Sequence, residues 1–366
     1  MKQVDFSVIA VDHTGQFMFP EELVQARLMR SEGRIEASEL RRIEDEAIRK
    51  VVEGQRKAGV AAFTDGELRR TSWDLDFITG LKWVEKKVVK SGHIWQDVEI
   101  GAIVPEIIGR IEYNENHPIF ADFDFLRSLL QPGEIARVTL PAPAHLLLWL
   151  IMHYPSGKSA KELKAELSAA YNATLARLYQ MGCHSVLLRD DSWGTFCDPD
   201  GLKRLLQGGI DPLALMADLK DVNNASLEGL PADMERILFV KAYCTADTSR
   251  STSLYSEIVR EIFAQTNVTA FMGDYETMDA FIERSDVEFP KDKGLILGVI
   301  GVHHPQLDTI DTIHERIENA LSAVSPAWFR ISPNDGFRLP RTFIDTTAFT
   351  EDDQWRKLAI LVESAK

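Results

Sequence analysis

Cysteine is scarce in this sequence, and positive charge is outnumbered by negative charge. Its three cysteines, Cys183, Cys197 and Cys244, form no Cys-x-x-Cys pair, which argues against a four-thiolate zinc site and against a fold held by a disulfide framework. The 41 lysines and arginines are outnumbered by 56 aspartates and glutamates, and the formal net charge is −15. Because binding a phosphate backbone requires clustered positive charge, we expect no nucleic-acid partner.

Long apolar segments are missing as well. No apolar run approaches the roughly 20 residues that span a bilayer, and the first ten residues, MKQVDFSVIA, are typical of a strand rather than of a signal peptide. These features predict a cytoplasmic protein without a membrane partner. The 366 residues, 45% of them hydrophobic, are enough for one large enzyme domain.

Eight short apolar runs are distributed along the chain, and most of them alternate with helical patterns. The runs cover residues 6–11, 60–64, 136–140, 185–189, 236–240, 268–272, 295–300 and 328–332. Reactive side chains follow nearly every run, namely Asp12, His13, Asp65, Glu67, Asp190, Asp191, Cys244, Asp274, Glu276, His303, His304 and Asp335. This layout predicts an α/β fold, a (β/α)8 barrel whose active site is built by the loops at the carboxyl ends of the strands.

Helical periodicity is clearest over residues 36–59 and 159–182, where a one-sided apolar stripe ends at Gly59 and at Gly182. Between the second and third apolar runs, residues 74–134 are too many for an ordinary crossover and contain segments of alternating polarity. This stretch predicts an inserted β-ribbon after strand two. We therefore expect a single catalytic barrel over residues 1–366, interrupted by this insertion.

Five local motifs together resemble the cobalamin-independent methionine synthase superfamily, in particular the shorter stand-alone homologues of its carboxyl-terminal catalytic barrel. The motifs are DHTGQFMFPEEL, IEDEAIRKVVEGQRKAGV, FTDGELRRTSW, LYQMGCHSVLLRDDSW and ISPNDGF, and the resemblance covers almost the whole chain. It implies methyl transfer from a folate nitrogen to a thiol such as that of homocysteine. In this chemistry zinc deprotonates the thiol, and a general acid protonates the departing amine.

The resemblance also implies roles for individual residues. Glu67 and Asp190 match the two carboxylates that hold the substrate amino group. Gly15 matches the glycine of a glycine-serine pair that contacts the substrate carboxylate, and Gln16 stands at the serine position. His303 matches the histidine proposed as proton donor.

The implied metal site departs from the family pattern. Zinc is held there by a His-x-Cys pair, a Glu and a Cys, whereas the matching positions here are Ala242, Cys244, Asp274 and Asp335. Two of the three nitrogen or sulfur ligands are thus replaced, which predicts weak or absent zinc binding. A different divalent ion, or no metal, is the alternative.

Each candidate also has an interpretation without a catalytic role. Glu67 is also explained by an ion pair with Arg69, Arg70 or another arginine at the mouth of the barrel, and Asp335 by an Asn-Asp-Gly turn. Of the adjacent Asp190 and Asp191, only one enters the barrel, and we favour Asp190. Cys244 is a lone cysteine, and packing as a small buried side chain is enough to explain it.

Three functions therefore remain open from the sequence. The first is a methionine-synthase-like methyl or alkyl transferase that uses an amino acid or thiol substrate and, as a possible donor, a folate. The second is a metal-independent lyase or decarboxylase. The third is a catalytically silent protein that retains the amino-acid pocket, since a barrel fold alone does not select among chemistries.

Overall fold

Seven parallel strands form one curled sheet in the computed structural model of the protein, which describes residues 5–89, 94–95, 98–99, 102–153, 157–242, 254–302, 304–338 and 349–366. In chain order the strands are β1 (Ala10–Val11), β2 (Lys82–Val89), β3 (Ile94–Trp95), β4 (Val98–Glu99), β5 (Ala102–Glu112), β6 (Arg137–Pro141), β7 (Ser185–Asp190), β8 (Glu235–Val240), β9 (Ala270–Asp274), β10 (Gly294–Ile300) and β11 (Phe329–Pro333). The large sheet has the order β1-β11-β10-β9-β8-β7-β6.

The strands of this sheet are covered on both faces, which explains why they appear as apolar runs rather than as alternating patterns. Every residue of β6, β9 and β10 is buried. One face packs on the helices, and the other carries a separate inner cluster of Leu187, Ile237, Phe239, Ala270, Met272 and Ile296. This inner cluster identifies the side chains that point to the concave side of the sheet.

The second predicted strand, residues 60–64, lies between the two edge strands but is not itself assigned as a strand. The backbone N–H of Ala61 donates to the carbonyl of Val11 at 2.8 Å, and that of Phe63 donates to the carbonyl of Ile135 at 2.8 Å. Phe63 and Ala136 form an isolated parallel bridge. The prediction of eight strands is therefore confirmed for seven of them.

The first predicted strand is also shorter than expected. Residues Phe6–Val8 form a 3₁₀ turn, and only Ala10–Val11 pair with β11. Asp5 is the physical reason, because its carboxylate accepts the backbone N–H of Ser7 and caps the turn.

Thirteen helices are assigned within the described residues. They are α1 (Glu21–Ser31), α2 (Ala37–Ala58), α3 (Leu75–Ile78), α4 (Pro118–Ser128), α5 (Pro143–His153), α6 (Ala160–Gln180), α7 (Gly194–Cys197), α8 (Pro199–Gln207), α9 (Pro212–Leu227), α10 (Tyr255–Phe263), α11 (Tyr275–Arg284), α12 (Ile310–Ala323) and α13 (Glu351–Ser364). None of those in the described ranges has the length and apolar composition needed to cross a bilayer.

The two helices with the clearest periodicity are confirmed, and local signals explain their ends. α2 ends at Gly59, whose left-handed φ of 76° turns the chain out of the helix. α6 begins at Ser159, which forms a reciprocal capping box with Glu162. Within the predicted insertion, β2 pairs with β5 as an antiparallel ribbon, and α3 and α4 flank it in sequence.

Candidate active site at the carboxyl ends of the strands

Glu67 lies in the tight loop that follows residues 60–64. Its backbone is left-handed, with φ of 57°, directly after Gly66 at φ of 68°. The carboxylate of Asp65 accepts the backbone N–H of Glu67 at 2.9 Å, which holds this turn. A left-handed glutamate is uncommon, and such backbone strain is often found where a side chain must be aimed into a site.

The carboxylate of Glu67 is buried and surrounded by donors. Its Oε1 accepts the Thr139 hydroxyl at 2.6 Å and Nη1 of Arg70 at 3.1 Å, and its Oε2 accepts Nε2 of Gln16 at 3.0 Å. Nη2 of Arg338 lies 3.7 Å from Oε2. The structure thus brings together two predicted substrate residues, Gln16 and Glu67. It also contains the Arg70 ion pair that the structural alternative expected.

Gly15 is placed where only a glycine fits. Its φ is +98°, and a Cβ at this position would lie 2.3 Å from Cγ2 of Thr139. Its carbonyl accepts the Thr64 hydroxyl at 2.8 Å. The backbone after β1 therefore packs closely against β6, beside the threonine that also orients Glu67.

Asp190 is fully buried, but its carboxylate faces the helices. Oδ1 accepts the Ser192 hydroxyl at 2.5 Å, and Oδ2 accepts Nε1 of Trp193 at 3.0 Å and Nδ2 of Asn223, on α9, at 3.1 Å. Among the described residues, no hydrogen bond or ion pair joins Asp190 to Glu67. Burial raises the pKa of Asp190, although the hydrogen bonds from Ser192 and Asn223 and the charge of His145 oppose the rise.

The strand register explains this orientation, which differs from the expectation that Asp190 would enter the barrel. Leu187 belongs to the inner cluster, so by alternation Arg189 points to the concave side and Asp190 to the helices. Arg189 binds Asp191 at 3.0 and 3.1 Å and Asp335 at 2.9 Å. Asp191, rather than Asp190, is thus linked to the other strand-end carboxylates.

Lys241 lies between the two predicted carboxylate ligands of the metal. Its Nζ is 3.2 Å from Oδ2 of Asp335 and 3.7 Å from Oδ2 of Asp274. It also donates to the backbone carbonyl of Asn334 at 3.3 Å. Burial alone would lower the pKa of Lys241, but the two carboxylates outweigh it and raise that pKa. Burial would raise the pKa of Asp335, but Arg189 and Lys241 lower it. Both pKa shifts favour the charged forms of Lys241 and Asp335, so the contact between them is an ion pair.

Asp274 has a second structural task, since it begins α11. Its Oδ1 accepts the backbone N–H of Thr277 at 2.9 Å, and its Oδ2 accepts the Thr277 hydroxyl at 2.9 Å. An N-terminal cap of this kind stabilises a helix by about 1 kcal/mol. The Asp274 carboxylate is therefore held by α11 as well as by Lys241.

Three comparisons with known proteins bear on this geometry. No family model matches the chain. It is 27% identical over 362 residues to uncharacterized protein YxjG of Bacillus subtilis (strain 168), covering 97% of this chain and 93% of that protein. It is 22% identical to the methionine synthase of Saccharolobus solfataricus, covering 96% and 92% of the two chains.

Solved structures are also similar to this chain over nearly its whole length. A putative vitamin-B12 independent methionine synthase from Listeria monocytogenes superposes with a TM-score of 0.73 at 27% identity, covering 98% of both chains. The chain is thus similar, over nearly its whole length, to members of the cobalamin-independent methionine synthase superfamily. A B12-independent methionine synthase from Shewanella sp. W3-18-1 shares the fold, with a TM-score of 0.65 at 18% identity over 98% of this chain and 96% of that one.

The zinc site that the superfamily implies does not fit the donor set described here. Ala242, at the histidine position, has only a methyl side chain, and an ammonium stands between Asp274 and Asp335. In the described ranges no three His, Cys, Asp or Glu side chains form a group suited to a metal ion. The predicted ligand Cys244 and the predicted proton donor His303 lie outside the described residues.

The two cysteines that are described do not supply a replacement ligand. Cys183 is free but buried, and burial raises the pKa of its thiol to about 12. Cys197 is disulfide-bonded. A thiol that stays protonated and a sulfur in a disulfide are both poor metal ligands.

Three residues of this site were not predicted from the sequence: Thr139, Arg189 and Lys241. Two of them had a detectable signal. Arg189 lies two residues after Leu187, and Lys241 lies two residues after Phe239. Because side chains alternate along a strand, Arg189 and Lys241 point to the same side as these two inner-cluster residues. The pairing of Thr139 with Glu67 had none, because it joins strands that are distant in sequence.

Proposed function

We propose that this protein is a methyltransferase of the methionine synthase type. It transfers a methyl or other alkyl group to the sulfur or selenium of a small amino-acid substrate bound beside Glu67. The observation that carries the proposal is the buried Glu67 carboxylate, oriented by Thr139, Gln16 and Arg70 at the end of the strand-two segment. Relatives named methionine synthase, aligned along nearly the whole chain, support it.

In this proposal Glu67 holds the ammonium of the substrate. Three donors already fix its two oxygens, so the carboxylate is oriented before the substrate binds. A carboxylate has about four lone-pair positions, which leaves room for a further donor. The adjacent Arg70, which pairs with Glu67, would supply a positive charge for the substrate carboxylate. Asp190, the second predicted carboxylate, contributes as a buried polar anchor between β7 and α9.

We further propose that residues 60–64 close the sheet into a (β/α)8 barrel. Hydrogen bonds from Ala61 to Val11 and from Phe63 to Ile135, on β1 and beside β6, support this closure. Closure would place Glu67 at the same end of the barrel as Asp335 and Lys241. The folate-type donor and the role of His303 as proton donor are part of the proposal, and they rest on the sequence motifs alone.

A catalytically silent amino-acid-binding protein is the second candidate. It is favoured by one observation, namely that Glu67, Asp274 and Asp335 each already contact a cationic side chain of the protein. Such internal pairing satisfies the carboxylates without any reaction. The two candidates predict the same ligand but different turnover.

Two measurements on the full chain test the proposal. The first is calorimetric titration with L-homocysteine, L-methionine and L-selenomethionine, with glycerol as a ligand that has no ammonium. The second is methyl transfer to L-homocysteine from a methyl-folate donor, followed by product mass. Saturable binding with product supports the methyltransferase. Binding without product on any donor supports the silent protein, and no binding of any amino acid contradicts both.

A further inference from the structure

Lys241 lies between Asp274 and Asp335, the two carboxylates that the sequence resemblance matches to zinc ligands. Ile237 and Phe239 of β8 belong to the inner cluster, so the alternation of the strand carries Lys241 to the same side. There its side chain is only 6% exposed, and that of Asp335 is 3% exposed. A buried ammonium is costly unless it is paired, and two buried carboxylates near each other are costly unless a cation lies between them.

The contacts of Lys241 are those of an ammonium and not those of a metal ion. Its nitrogen lies 3.2 to 3.7 Å from the two carboxylates and 3.3 Å from the Asn334 carbonyl. Divalent ions bind oxygen at about 2.0 to 2.6 Å. The oxygens of Asp335 and Asn334 are therefore at hydrogen-bond distance and that of Asp274 at ion-pair distance, and a metal ion could enter only if the ammonium left and the oxygens moved inward.

The surrounding side chains hold this spacing. Oδ1 of Asp335 accepts Nη1 of Arg189 at 2.9 Å and the backbone N–H of Gly336 at 2.7 Å. Asp274 is held by Thr277 at the start of α11. Arg189 itself packs over the ring of Trp73, with 4.5 Å between the guanidinium carbon and the ring centroid. Both carboxylates are thus held in place by neighbouring donors, and Lys241 lies between them.

We propose that Lys241 is a tethered cation that replaces the metal ion of this site and prevents divalent cations from binding there. Removing the ammonium would leave two carboxylates and one carbonyl, a set of hard oxygen donors that suits Mn²⁺ better than Zn²⁺. This inference does not depend on which reaction the protein catalyses, because it concerns only what occupies the strand-end carboxylates.

Calorimetric titration of MnCl₂ and ZnCl₂ into the chelator-treated full chain tests the proposal. We expect neither metal to bind the wild-type protein or Lys241→Arg more tightly than about 100 μM, whereas Lys241→Met, of similar length but uncharged, should bind Mn²⁺ at least tenfold more tightly. Adding Asp335→Asn to Lys241→Met should abolish the gain. Lys241→Gln serves as a second uncharged variant if the Met variant does not fold.

Two results would overturn the proposal. One is a wild-type chain that binds one Zn²⁺ or Mn²⁺ per molecule with low-micromolar affinity, because the ammonium would then not exclude the ion. The other is a folded Lys241→Met or Lys241→Gln variant whose affinity for Mn²⁺ equals that of the wild type. If neither variant folds, the wild-type titration still decides the first point, and a protein that binds no metal supports the proposal.

Discussion

The backbone N–H of Gly15 donates to Nδ1 of His13 at 3.0 Å, and this contact sets the protonation of the ring. Since Nδ1 accepts, Nε2 carries the hydrogen and donates it to the carbonyl of Ala62 at 2.9 Å. Both nitrogens are satisfied only in the neutral ring. His117 repeats the arrangement, accepting from Ile119 at 3.1 Å and donating to Phe77 at 2.9 Å.

Acid should destabilise the protein through these two rings. Burial, the largest cause, lowers the pKa of His13 and of His117 from 6.5 to about 4 in the folded state. A folded-state pKa below the unfolded value gives stability that is complete above about pH 6.5 and is lost as the pH falls towards 4. The shift corresponds to at most about 3 kcal/mol for each ring. Urea unfolding measured between pH 7 and pH 4 checks this.

The variant His117→Asn isolates one of the two rings. Asn keeps an acceptor for the cap of α4 but does not titrate in this range. Its loss of stability between pH 7 and pH 4 should therefore be smaller than that of the wild type. His304→Asn, which changes an exposed ring, should leave the wild-type curve unchanged. Parallel curves for wild type and His117→Asn would contradict the assignment.

Gly15→Ala should destabilise the protein by at least about 2 kcal/mol, because it combines backbone strain with a clash. The new Cβ would lie 2.3 Å from Cγ2 of Thr139. Gly33→Ala is the matched control, since Gly33 also has a positive φ, +71°, but nothing lies within 4 Å of its Cβ position. Adding Thr139→Ser removes Cγ2 and keeps the hydroxyl that binds Glu67, so it should recover part of the loss. Equal losses in Gly15→Ala and Gly33→Ala, measured by urea unfolding, would disprove the clash.

A buried ionic network lies at the end of the sheet opposite the candidate active site. Disrupting this network should lower the free energy of unfolding. Arg137 is buried and binds Asp12, Ser185 at 2.9 Å and Glu235 at 3.1 Å. Asp12→Asn leaves Arg137 short of negative charge, which should cost about 3 to 5 kcal/mol of unfolding free energy. Glu39→Gln, which breaks an exposed pair with Arg42, should cost less than about 1 kcal/mol. Chemical denaturation of both variants compares the two sites, and similar losses would be inconsistent with this account.

Much of the fold was predictable because the strands of a parallel sheet are buried on both faces. The runs at 185–189 and 295–300 became β7 and β10 for this reason. The run at 6–11 failed at its start, because the cap provided by Asp5 is a local interaction that an apolar pattern does not reveal. The segment 60–64 showed a strand pattern but is not assigned as a strand, because its pairing is limited to hydrogen bonds with Val11 and Ile135 and an isolated bridge with Ala136.

The site was less predictable, because its contacts join residues that are far apart in the chain. Glu67 and Gln16 were both selected by motif, yet the roles of Thr139 and Arg338 depend on which strands and loops are neighbours. The choice between Asp190 and Asp191 required the register to one residue. Lys241 drew no notice because a lysine at a strand end is ordinary in sequence.

Glu67→Gln should weaken the binding of ammonium-bearing ligands by about 2 to 5 kcal/mol, because a charge-paired group loses its partner. The loss should be large for L-methionine and absent for ligands without an ammonium. Glu318→Gln, an exposed change on α12, is the control for altered net charge. Calorimetry on the two variants and the wild type measures this, and an unchanged affinity of Glu67→Gln for every amino acid that binds would remove Glu67 from the site.

The most direct test of the metal account is the zinc content of the wild-type chain, purified without chelators and measured by elemental analysis against protein concentration. Ala242 stands at the histidine position, and Lys241 lies between Asp274 and Asp335. We therefore predict a zinc content well below one atom per chain after dialysis at neutral pH. One zinc per chain that survives dialysis, with sulfur coordination seen by X-ray absorption, would contradict this account and restore the metal mechanism of the superfamily.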